Sequence, residues 1–475
     1  MNDSLQSSNS SARGRWLVLI AAFLGWMFDG MEMGIHPLVV TPALKELIGN
    51  EMKAGGATVD PQVLKDAVNT WNGYTTSLFL LGAAGGGLVF GWLGDRIGRV
   101  RAMMFSILCY SGFTGLCYFA ESAAQFGFLR FLAALGMGGE WSLGVALVME
   151  SWPQRHRPIL AGAIGAAANV GFLLVGLLAL QFRVTDDRWR WVLLVGAAPA
   201  ALTVFIRLFV PESEKWKESA KGKPSRPLTE LVQSGWTGRT VLAVALASVA
   251  LVGTWGSVQQ IVPWIRNELL TKEIASKQLA ELSHESAAGA SQSNVPSNPG
   301  LTTLAVESNL PADPVDGYIS DAAANAQIAL SVGAILGCLI GAFCGNWLGR
   351  RPTYFLLCVT SLGFCTFLFW FYKEVNLSFY AVVFAVGLFT AAFYGWLPLY
   401  LPELFPTRFR ATGQGLAFNF GRVVAAFGAV YLGDITKAYG ESGWAKACGT
   451  LTLVYAVGMI LIWFAPETKG KPLPD

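Results

Sequence analysis

The chain has 475 residues, of which 53% are hydrophobic and only 14% are charged. So few charges cannot cover the surface of a soluble protein of this length. They must lie between long apolar segments, and the composition therefore predicts an integral membrane protein. The net charge of +3 belongs to the loops that join these segments and does not indicate nucleic-acid binding.

Twelve apolar segments are long enough to cross a bilayer, since a span takes about 20 mostly apolar residues. Six fall in each half of the chain, which predicts an all-α membrane protein with twelve transmembrane helices. The predicted spans lie near 16–40, 72–94, 101–120, 126–149, 159–181, 191–210, 240–262, 323–345, 352–372, 379–401, 412–432 and 444–465.

Two polar stretches interrupt the series of spans. The charged stretch at 212–238 cannot span and predicts a cytoplasmic linker. The stretch at about 266–320 is rich in Ser, Ala, Asn and Pro, which cannot bury enough apolar surface to order themselves, so we expect a flexible outer loop. The predicted domains are a cytoplasmic tail at 1–15, an N-terminal six-helix bundle at 16–211, the linker, a C-terminal bundle at 239–466 that contains the outer loop, and a cytoplasmic tail at 467–475.

The distribution of Lys and Arg predicts the orientation, because short cytoplasmic loops carry the excess of positive charge. If the first span runs outward, the cytoplasmic side of the membrane holds Arg96, Arg99, Arg101, Arg350 and Arg351 together with the basic cluster between the halves. Several basic residues on the other face are balanced by neighbouring acids. We therefore expect a multi-pass protein of the cell (inner) membrane with both termini in the cytoplasm.

A motif of the first half returns in the second half. The pattern Glu-x-aromatic-Pro-x-Arg-x-Arg occurs at 150–157 and again at 403–410, which is 253 residues later. Gly82, Gly86 and Gly94 recur 251 residues later, on a spacing that lets a neighbouring helix approach closely. Duplicated membrane halves that meet at a central site are typical of secondary transporters.

The loop Gly91–Arg101 between the second and third spans resembles the signature loop of the major facilitator superfamily. Three further elements agree with that family: Arg130-Phe131-Leu132 with Gly136–Glu140 in the fourth span, Pro211-Glu212-Ser213 after the sixth, and Pro-Glu-Thr-Lys-Gly at 466–470. The resemblance implies the major facilitator fold, in which two pseudo-symmetric six-helix bundles rock about a midplane site and expose it to each side in turn.

Two elements are similar to particular groups within this superfamily. The run Asp29–Glu32 in the first span is similar to the Asp-Gly-x-Asp element of proton-coupled aromatic-acid symporters, with Glu as its last residue. Gly139-Glu140-Trp141 followed by 149–153 looks like the sialate and metabolite symporters. Both groups carry organic anions, which the resemblance implies here. Asn346 and Trp347 replace the Asp and Arg of the signature loop in the second half, so we expect asymmetric gating.

Five charged residues fall well inside the predicted spans, away from the ends, where an ionised side chain costs at least about 2.5 to 3.5 kcal/mol. Because of this cost we expect them to compensate one another partly within a shared polar cavity, and each is a candidate functional residue. The five are Asp29, Glu32, Arg130, Glu140 and Arg422.

Asp29, Glu32 and His36 are spaced three and four residues apart and so share one face of the first helix. We expect that face to line the cavity, with Asp29 as the proton carrier and Glu32 as the second candidate. Arg130 resembles the arginine that the superfamily uses near its proton site. The alternatives are a carboxylate that stays paired for structural reasons and, for His36, a capping or solvated role.

Arg422 lies in the middle of the eleventh span, close to Asn419, and its repeat counterpart is Asn169. A guanidinium fits a carboxylate through two parallel hydrogen bonds, whereas a neutral sugar needs no buried cation. We therefore expect Arg422 to bind the carboxylate of the substrate, with both asparagines as further substrate-binding candidates. The alternative is a salt bridge to one of the three buried acids, which the substrate never contacts.

The remaining substrate-binding candidates are mostly aromatic. Glu140 and Trp141 could face the substrate, although a packing role or an interhelical hydrogen bond stays open for Glu140. Tyr394 is a candidate for stacking on a ring-bearing substrate, as are Trp255 and Trp396. Core packing and interface belts explain most membrane aromatics, so that alternative stays open for each of them.

Charged residues at the cytoplasmic ends of helices form the predicted gate. The resemblance implies a network that closes the cytoplasmic side, and repetition of the motif in both halves favours a gate over isolated solvated charges. The gate residues are Asp95, Arg99, Glu150, Arg157, Glu403 and Arg410.

The sequence thus predicts a proton symporter that imports a small organic anion, such as an acidic sugar or an aromatic acid, by alternating access. The alternatives are a neutral-sugar or drug carrier of the same superfamily and, less favoured, a transporter-like receptor. No phosphate-binding loop, zinc-protease motif or nucleophile elbow occurs, which argues against an enzyme.

The expected partners are an anionic small molecule and the lipid bilayer, with the proton as coupling ion and the chain as a monomer. The seven cysteines lie in or at the ends of apolar segments, without the spacing of a disulfide framework or a zinc site. No cofactor, metal or catalytic residue is expected.

Overall fold

The computed structural model describes residues 2–56, 59–182, 189–220, 227–231, 236–270, 312–440 and 443–474. These ranges are almost entirely helical and contain no β-strand. Ten helices are long and apolar enough to cross a membrane, and two further helical segments complete a set of twelve. The predicted all-α fold of twelve transmembrane helices is confirmed.

The spans are numbered 1 to 12 along the chain. Span 6 is broken at Pro199, which cannot continue a hydrogen-bonded helix. The first six spans are Asn2–Ala54, Pro61–Ile97, Arg99–Leu116, Ala123–Ser151, Arg157–Gln181 and the pair Arg190–Ala197 and Ala200–Phe209.

The second half repeats this arrangement. Span 7 changes its helical type near its end, through a 3-10 turn at Val258–Gln260, a short α-helix at Ile261–Trp264 and a π-turn at Ile265–Leu269. Spans 7 to 12 are Thr237–Gly256 with this extension, Ala312–Trp347, Arg350–Phe371, Leu377–Tyr400, Arg410–Tyr439, and Gly443–Leu451 with Val454–Leu461.

Three segments differ from the sequence-based expectation. Span 1 begins at Asn2, so the predicted tail at 1–15 is largely helical. Residues 266–269 of the predicted outer loop belong to the end of span 7, and residues 312–320 belong to span 8. Adding a residue to an existing helix costs far less than nucleating one, which explains why these helices run beyond their apolar parts. Residues 271–311 of that loop lie outside the described residues.

Glycines set the closest helix contacts. A Cβ atom on Gly82 or Gly86 would overlap backbone atoms of span 4, and one on Gly333, Gly337 or Gly341 would overlap backbone atoms of span 10. The two glycine series therefore serve helix packing, as small residues do at membrane interfaces. The halves meet along two helix pairs, span 2 with span 11 and span 5 with span 8.

Candidate functional site

A cavity of about 50 Å³ lies between the two halves. Spans 1, 5, 7, 8, 10 and 11 form its walls. The lining residues are Trp26, Met33, Gly165, Ala168, Asn169, Phe172, Thr254, Trp255, Val258, Gln259, Leu330, Ala334, Gly387, Thr390, Ala391, Tyr394 and Arg422.

Arg422 reaches this cavity from span 11 and is only 2% exposed. One terminal nitrogen donates to the amide oxygen of Asn419, the other lies 3.9 Å from the sulfur of Met33, and the guanidinium carbon lies 5.5 Å from the ring centre of Phe418. Its Nε has no hydrogen-bond partner, and none of the described carboxylates forms a salt bridge with it. The cavity thus contains a buried cation that has no paired anion among the described residues.

Asn419 holds Arg422 in place but does not line the cavity. Its amide nitrogen donates to the carbonyl of Gly138 in span 4 at 2.9 Å and to that of Gly415 at 3.0 Å. It therefore joins the two halves directly behind the guanidinium. Asn169 does line the cavity, and its amide nitrogen lies 3.5 Å from the sulfur of Cys338.

Asp29 is completely buried on span 1. Contrary to expectation, Asp29, Glu32 and His36 do not line the cavity, but Asp29 lies three residues after Trp26 and four before Met33, which do. Neither carboxylate oxygen has a hydrogen-bond partner among the described residues. Glu140 and Arg422 are the charged groups that act on it most strongly. Asp29 therefore lies in the electric field of the cavity cation without being tied to it.

Glu32 has a different environment from Asp29. Its Oε1 accepts hydrogen bonds from Arg130 and, at 2.7 Å, from the hydroxyl of Thr114. The Arg130 guanidinium lies 5.1 Å from the ring centre of Phe79, which in turn stacks on His36 at 4.7 Å. Glu32 and Arg130 thus form a buried ion pair inside the first half.

Glu140 and Trp141, both expected to face the substrate, do not line the cavity. Glu140 points at Gly25 of span 1, within the first half, and both its oxygens lack described partners. Trp141 stacks on Phe418 of the second half with ring centres 3.8 Å apart and an angle of 11° between the rings. Adjacent residues of a helix point about 100° apart, so Glu140 and Trp141 face different neighbours.

The other aromatic candidates divide into two groups. Tyr394 and Trp255 line the cavity, as expected of residues that could stack on a substrate. Trp396 lies in the core of the second half instead, where its ring nitrogen donates to the carbonyl of Arg350 at 3.1 Å and its ring packs against Tyr400 at 4.6 Å. The sequence pattern missed Trp26, whose ring borders the cavity one turn before Asp29.

Between the cavity and the end predicted to be cytoplasmic, three charged residues of the first half form a buried cluster. Arg99 contacts Asp95 at 2.8 Å and Glu150 at 3.1 Å. Arg410, from the second half, also contacts Glu150 at 3.2 Å, and Arg99 donates to the carbonyl of Thr407 at 3.0 Å. The cluster therefore holds the two halves together at the end predicted to be cytoplasmic.

The second half contains a related pair. Arg350 forms two parallel hydrogen bonds with Glu403, at 3.0 and 2.5 Å, and the hydroxyl of Thr468 donates to the same carboxylate at 2.5 Å. Arg350 was not among the predicted gate residues, although it stands 251 residues after Arg99 and the repeat could have identified it. Arg157 is buried nearby, but its Nε lacks a partner and it forms no ion pair with a described residue.

The contacts at this end differ between the two halves. The first-half carboxylates Asp95 and Glu150 bind donors on the second half, whereas Glu403 binds donors on its own half. Arg410 in addition donates to the carbonyl of Pro474 at 2.8 Å, which places the predicted tail at 467–475 against the gate.

Two carboxylates cap the helices that start at the gate. Glu212 accepts hydrogen bonds from the backbone nitrogens of Arg99 and Val100 at 3.0 and 3.1 Å, and Glu467 accepts from those of Arg350 and Arg351 at the same distances. A carboxylate is favourable at this end of a helix dipole. Gly98 and Gly349 precede these helices with φ of 107° and 104°, values that other residues rarely adopt.

The two caps differ in their pKa. Burial would raise the pKa of Glu467, but the backbone N–H groups of Arg350, Arg351 and Lys469 outweigh it and hold the pKa below its ordinary value. For Glu212, burial dominates and raises the pKa. No group of metal-ligating side chains comes together in the part of the chain that the structure describes.

The chain is similar to known transporters over nearly its whole length. A Haemophilus influenzae protein named for metabolite transport is 29% identical over 472 residues, 96% of this chain and 98% of its own. A Bacillus subtilis protein named for niacin and nicotinamide transport is 26% identical over 461 residues, 96% of this chain and 97% of its own. The solved structure of a proton:xylose symporter matches with a TM-score of 0.69 over 98% of both chains at 15% identity, which shows the fold.

Family models cover both halves. The Sugar (and other) transporter model matches residues 317–475. The Major Facilitator Superfamily model matches residues 15–271, more than half of the chain. This multi-pass membrane protein therefore belongs to the major facilitator superfamily and is a secondary transporter, not an enzyme.

Proposed function

We propose that this chain imports a small organic carboxylate together with protons by alternating access. The observation that supports the proposal best is Arg422, a buried guanidinium at the wall of the central cavity to which none of the carboxylates that the structure describes is paired. A buried charge without a counterion is costly, so such a site suits an anion that arrives and leaves. The relative named for niacin and nicotinamide transport is compatible with this substrate class.

Asp29 supplies the coupling in this proposal. When Asp29 is protonated, Arg422 gives the cavity a net positive charge that attracts a carboxylate. When Asp29 loses its proton, its negative charge offsets Arg422 and favours release of the anion. Carrying one negative charge into a cell that is negative inside costs about 2.3 kcal/mol per 100 mV, and one accompanying proton cancels this electrical term.

The proposal places the Asp95 and Glu150 cluster on the cytoplasmic side of the cell (inner) membrane, with both termini on that side, as the excess of Lys and Arg there favours. In this proposal the protein works as a monomer. Reaction of an impermeant maleimide with a single cysteine at the exposed position of Arg155, in a cysteine-free background, tests the orientation. Labelling only after the membrane is permeabilised supports the proposed orientation, and labelling of intact cells contradicts it.

Uptake by the purified protein in liposomes tests the function. Labelled aromatic acids, acidic sugars and short monocarboxylates are offered with an acidic outside, with and without a protonophore. We expect an anion to accumulate only while the pH gradient lasts, and Arg422→Gln to weaken its affinity at least tenfold. Arg239→Gln, which changes an exposed arginine at the start of span 7, is the matched control. Anion uptake that ignores the gradient would remove symport from the proposal.

A neutral-sugar carrier is the second candidate, favoured by the match of residues 317–475 to the sugar transporter model. A neutral sugar has no use for the uncompensated charge of Arg422. Uptake of xylose, together with no uptake of any anion in the panel, would decide for this candidate.

A further inference from the structure

The lining of the cavity restricts which anion fits, an inference that rests on the proposed function. Arg422 is the only charged side chain among the cavity-lining residues that the structure describes. One guanidinium can bind one carboxylate through two parallel hydrogen bonds. A second carboxylate on the same molecule would lie in a largely apolar wall with no cation to receive it, which is costly.

Several polar groups in the wall already have partners. The hydroxyls of Thr254 and Thr390 each donate to the carbonyl four residues earlier in their own helix, at 2.8 and 2.7 Å. The amide nitrogen of Asn169 is directed at a backbone carbonyl and at the sulfur of Cys338. Gln259 and Tyr394 add only two more polar side chains to the described wall, so some hydroxyls of a polyhydroxylated acid would be left without good partners.

Aromatic rings make up much of the remaining wall. Trp26, Phe172, Trp255 and Tyr394 come from spans 1, 5, 7 and 10, so rings surround the space beside Arg422 on several sides. The Nε1–H of Trp26 is buried and has no partner among the described residues, which provides one further donor at the wall. Rings of this kind pack well against a flat apolar body.

We infer that the substrate is a compact monocarboxylate with a flat, ring-like or unsaturated apolar body. Its carboxylate binds Arg422, and its body packs between the rings of Trp26 and Trp255. Dicarboxylates and polyhydroxylated acids of similar size are poor ligands, because the cavity leaves their extra polar groups unpaired.

Calorimetric titration of the full chain in detergent tests this with matched pairs of compounds. Benzoate and terephthalate differ by one carboxylate, and cyclohexanecarboxylate and quinate differ in their hydroxyls. We expect the first of each pair to bind at least tenfold more tightly, and benzoate to bind at least as tightly as cyclohexanecarboxylate. Terephthalate or quinate within threefold of its partner overturns the inference.

A variant tests the role of the rings. Trp255→Leu is expected to weaken benzoate binding by about three- to tenfold, a loss typical of one aromatic pair, and cyclohexanecarboxylate binding by less. Trp463→Leu, at a ring that is 53% exposed on the outside of span 12, is the control and should change neither. Equal effects of Trp255→Leu on both ligands overturn the assignment of the ring.

The inference and the proposed function fail in different ways. If quinate binds tightly and its uptake follows the pH gradient, the inference falls and proton-coupled anion transport stands. If benzamide, the neutral counterpart of benzoate, binds as tightly as benzoate and no anion is carried, the proposed function itself falls.

Discussion

Oδ2 of Asp95 accepts two hydrogen bonds from Thr412, one from its backbone N–H at 2.8 Å and one from its hydroxyl at 2.5 Å. Asp95 lies near the end of span 2 of the first half, and Thr412 lies near the start of span 11 of the second. One carboxylate oxygen therefore ties together the two halves that alternating access has to separate. Opening this end requires both hydrogen bonds to break together.

Thr412→Val should make this end open more readily. It removes one hydrogen bond to a charged group, worth about 1.5 to 3 kcal/mol, and keeps the shape of the side chain. We expect faster amide hydrogen exchange at 91–98 and 405–415, measured by mass spectrometry. Thr360→Val, whose hydroxyl binds only its own helix, is the control. Unchanged exchange in Thr412→Val would show that the bond does not limit opening.

Asp29→Asn should separate substrate binding from proton coupling. The amide has the size of the carboxyl group but cannot take up or release a proton, so we expect exchange of internal and external substrate to persist while accumulation driven by the pH gradient is lost. Both are measured in liposomes. Asp66→Asn, at an exposed carboxylate, serves as control. Gradient-driven accumulation that survives in Asp29→Asn would move the proton site elsewhere.

The buried pair of Glu32 and Arg130 predicts a large effect on stability. Glu32→Gln leaves the Arg130 cation buried without its counterion, so the free energy of unfolding should fall by about 3 to 5 kcal/mol. Glu214→Gln breaks an exposed pair with Lys217 and should cost about 0 to 1 kcal/mol. Unfolding by SDS titration measures both. A small effect of Glu32→Gln would show that Arg130 finds another partner.

Glu140→Gln distinguishes the observed position of this residue from the expected one. Because Glu140 faces Gly25 and not the cavity, the affinity for the transported anion should change less than twofold when the substitution is made together with Asp29→Asn, which removes the influence of Glu140 on the proton of Asp29. Equilibrium binding to the purified variant measures it, with Arg422→Gln as the positive control. A tenfold loss would return Glu140 to the substrate site.

The lowered pKa of Glu467 predicts a dependence on pH. A carboxylate whose pKa is depressed on folding stabilises the folded state above its unfolded pKa of about 4.3, and this contribution is lost as the pH falls through the folded pKa. Wild type should melt above Glu467→Gln at pH 7, and the difference should shrink below about pH 4. Thermal unfolding in detergent across pH 3.5 to 7.5 measures it. A difference that stays constant would contradict a role for the charge.

Much of this arrangement follows from local sequence. Apolar length predicts the spans, and the repeated motif predicts that Arg99, Glu150, Glu403 and Arg410 lie at one end, because equivalent positions of two repeats occupy equivalent places. Arg422 was expected at the cavity because a cation within a span needs a polar surrounding.

The sequence could not predict which neighbouring helix each helix face contacts. Periodicity places Asp29 and Glu32 on one face, yet only packing shows that Glu32 meets Arg130 while Asp29 meets no donor in the described part of the chain. The same limit applies to Trp141, whose stacking on Phe418 depends on how the two halves are docked.

The carbonyl of Pro474 accepts a hydrogen bond from Arg410, so the last residues of the chain are part of the closed end. An affinity tag or fluorescent protein fused directly after them would compete with this contact and shift the resting balance between the two access states. The rate of transport, measured before and after a protease removes such a fusion, would reveal this shift.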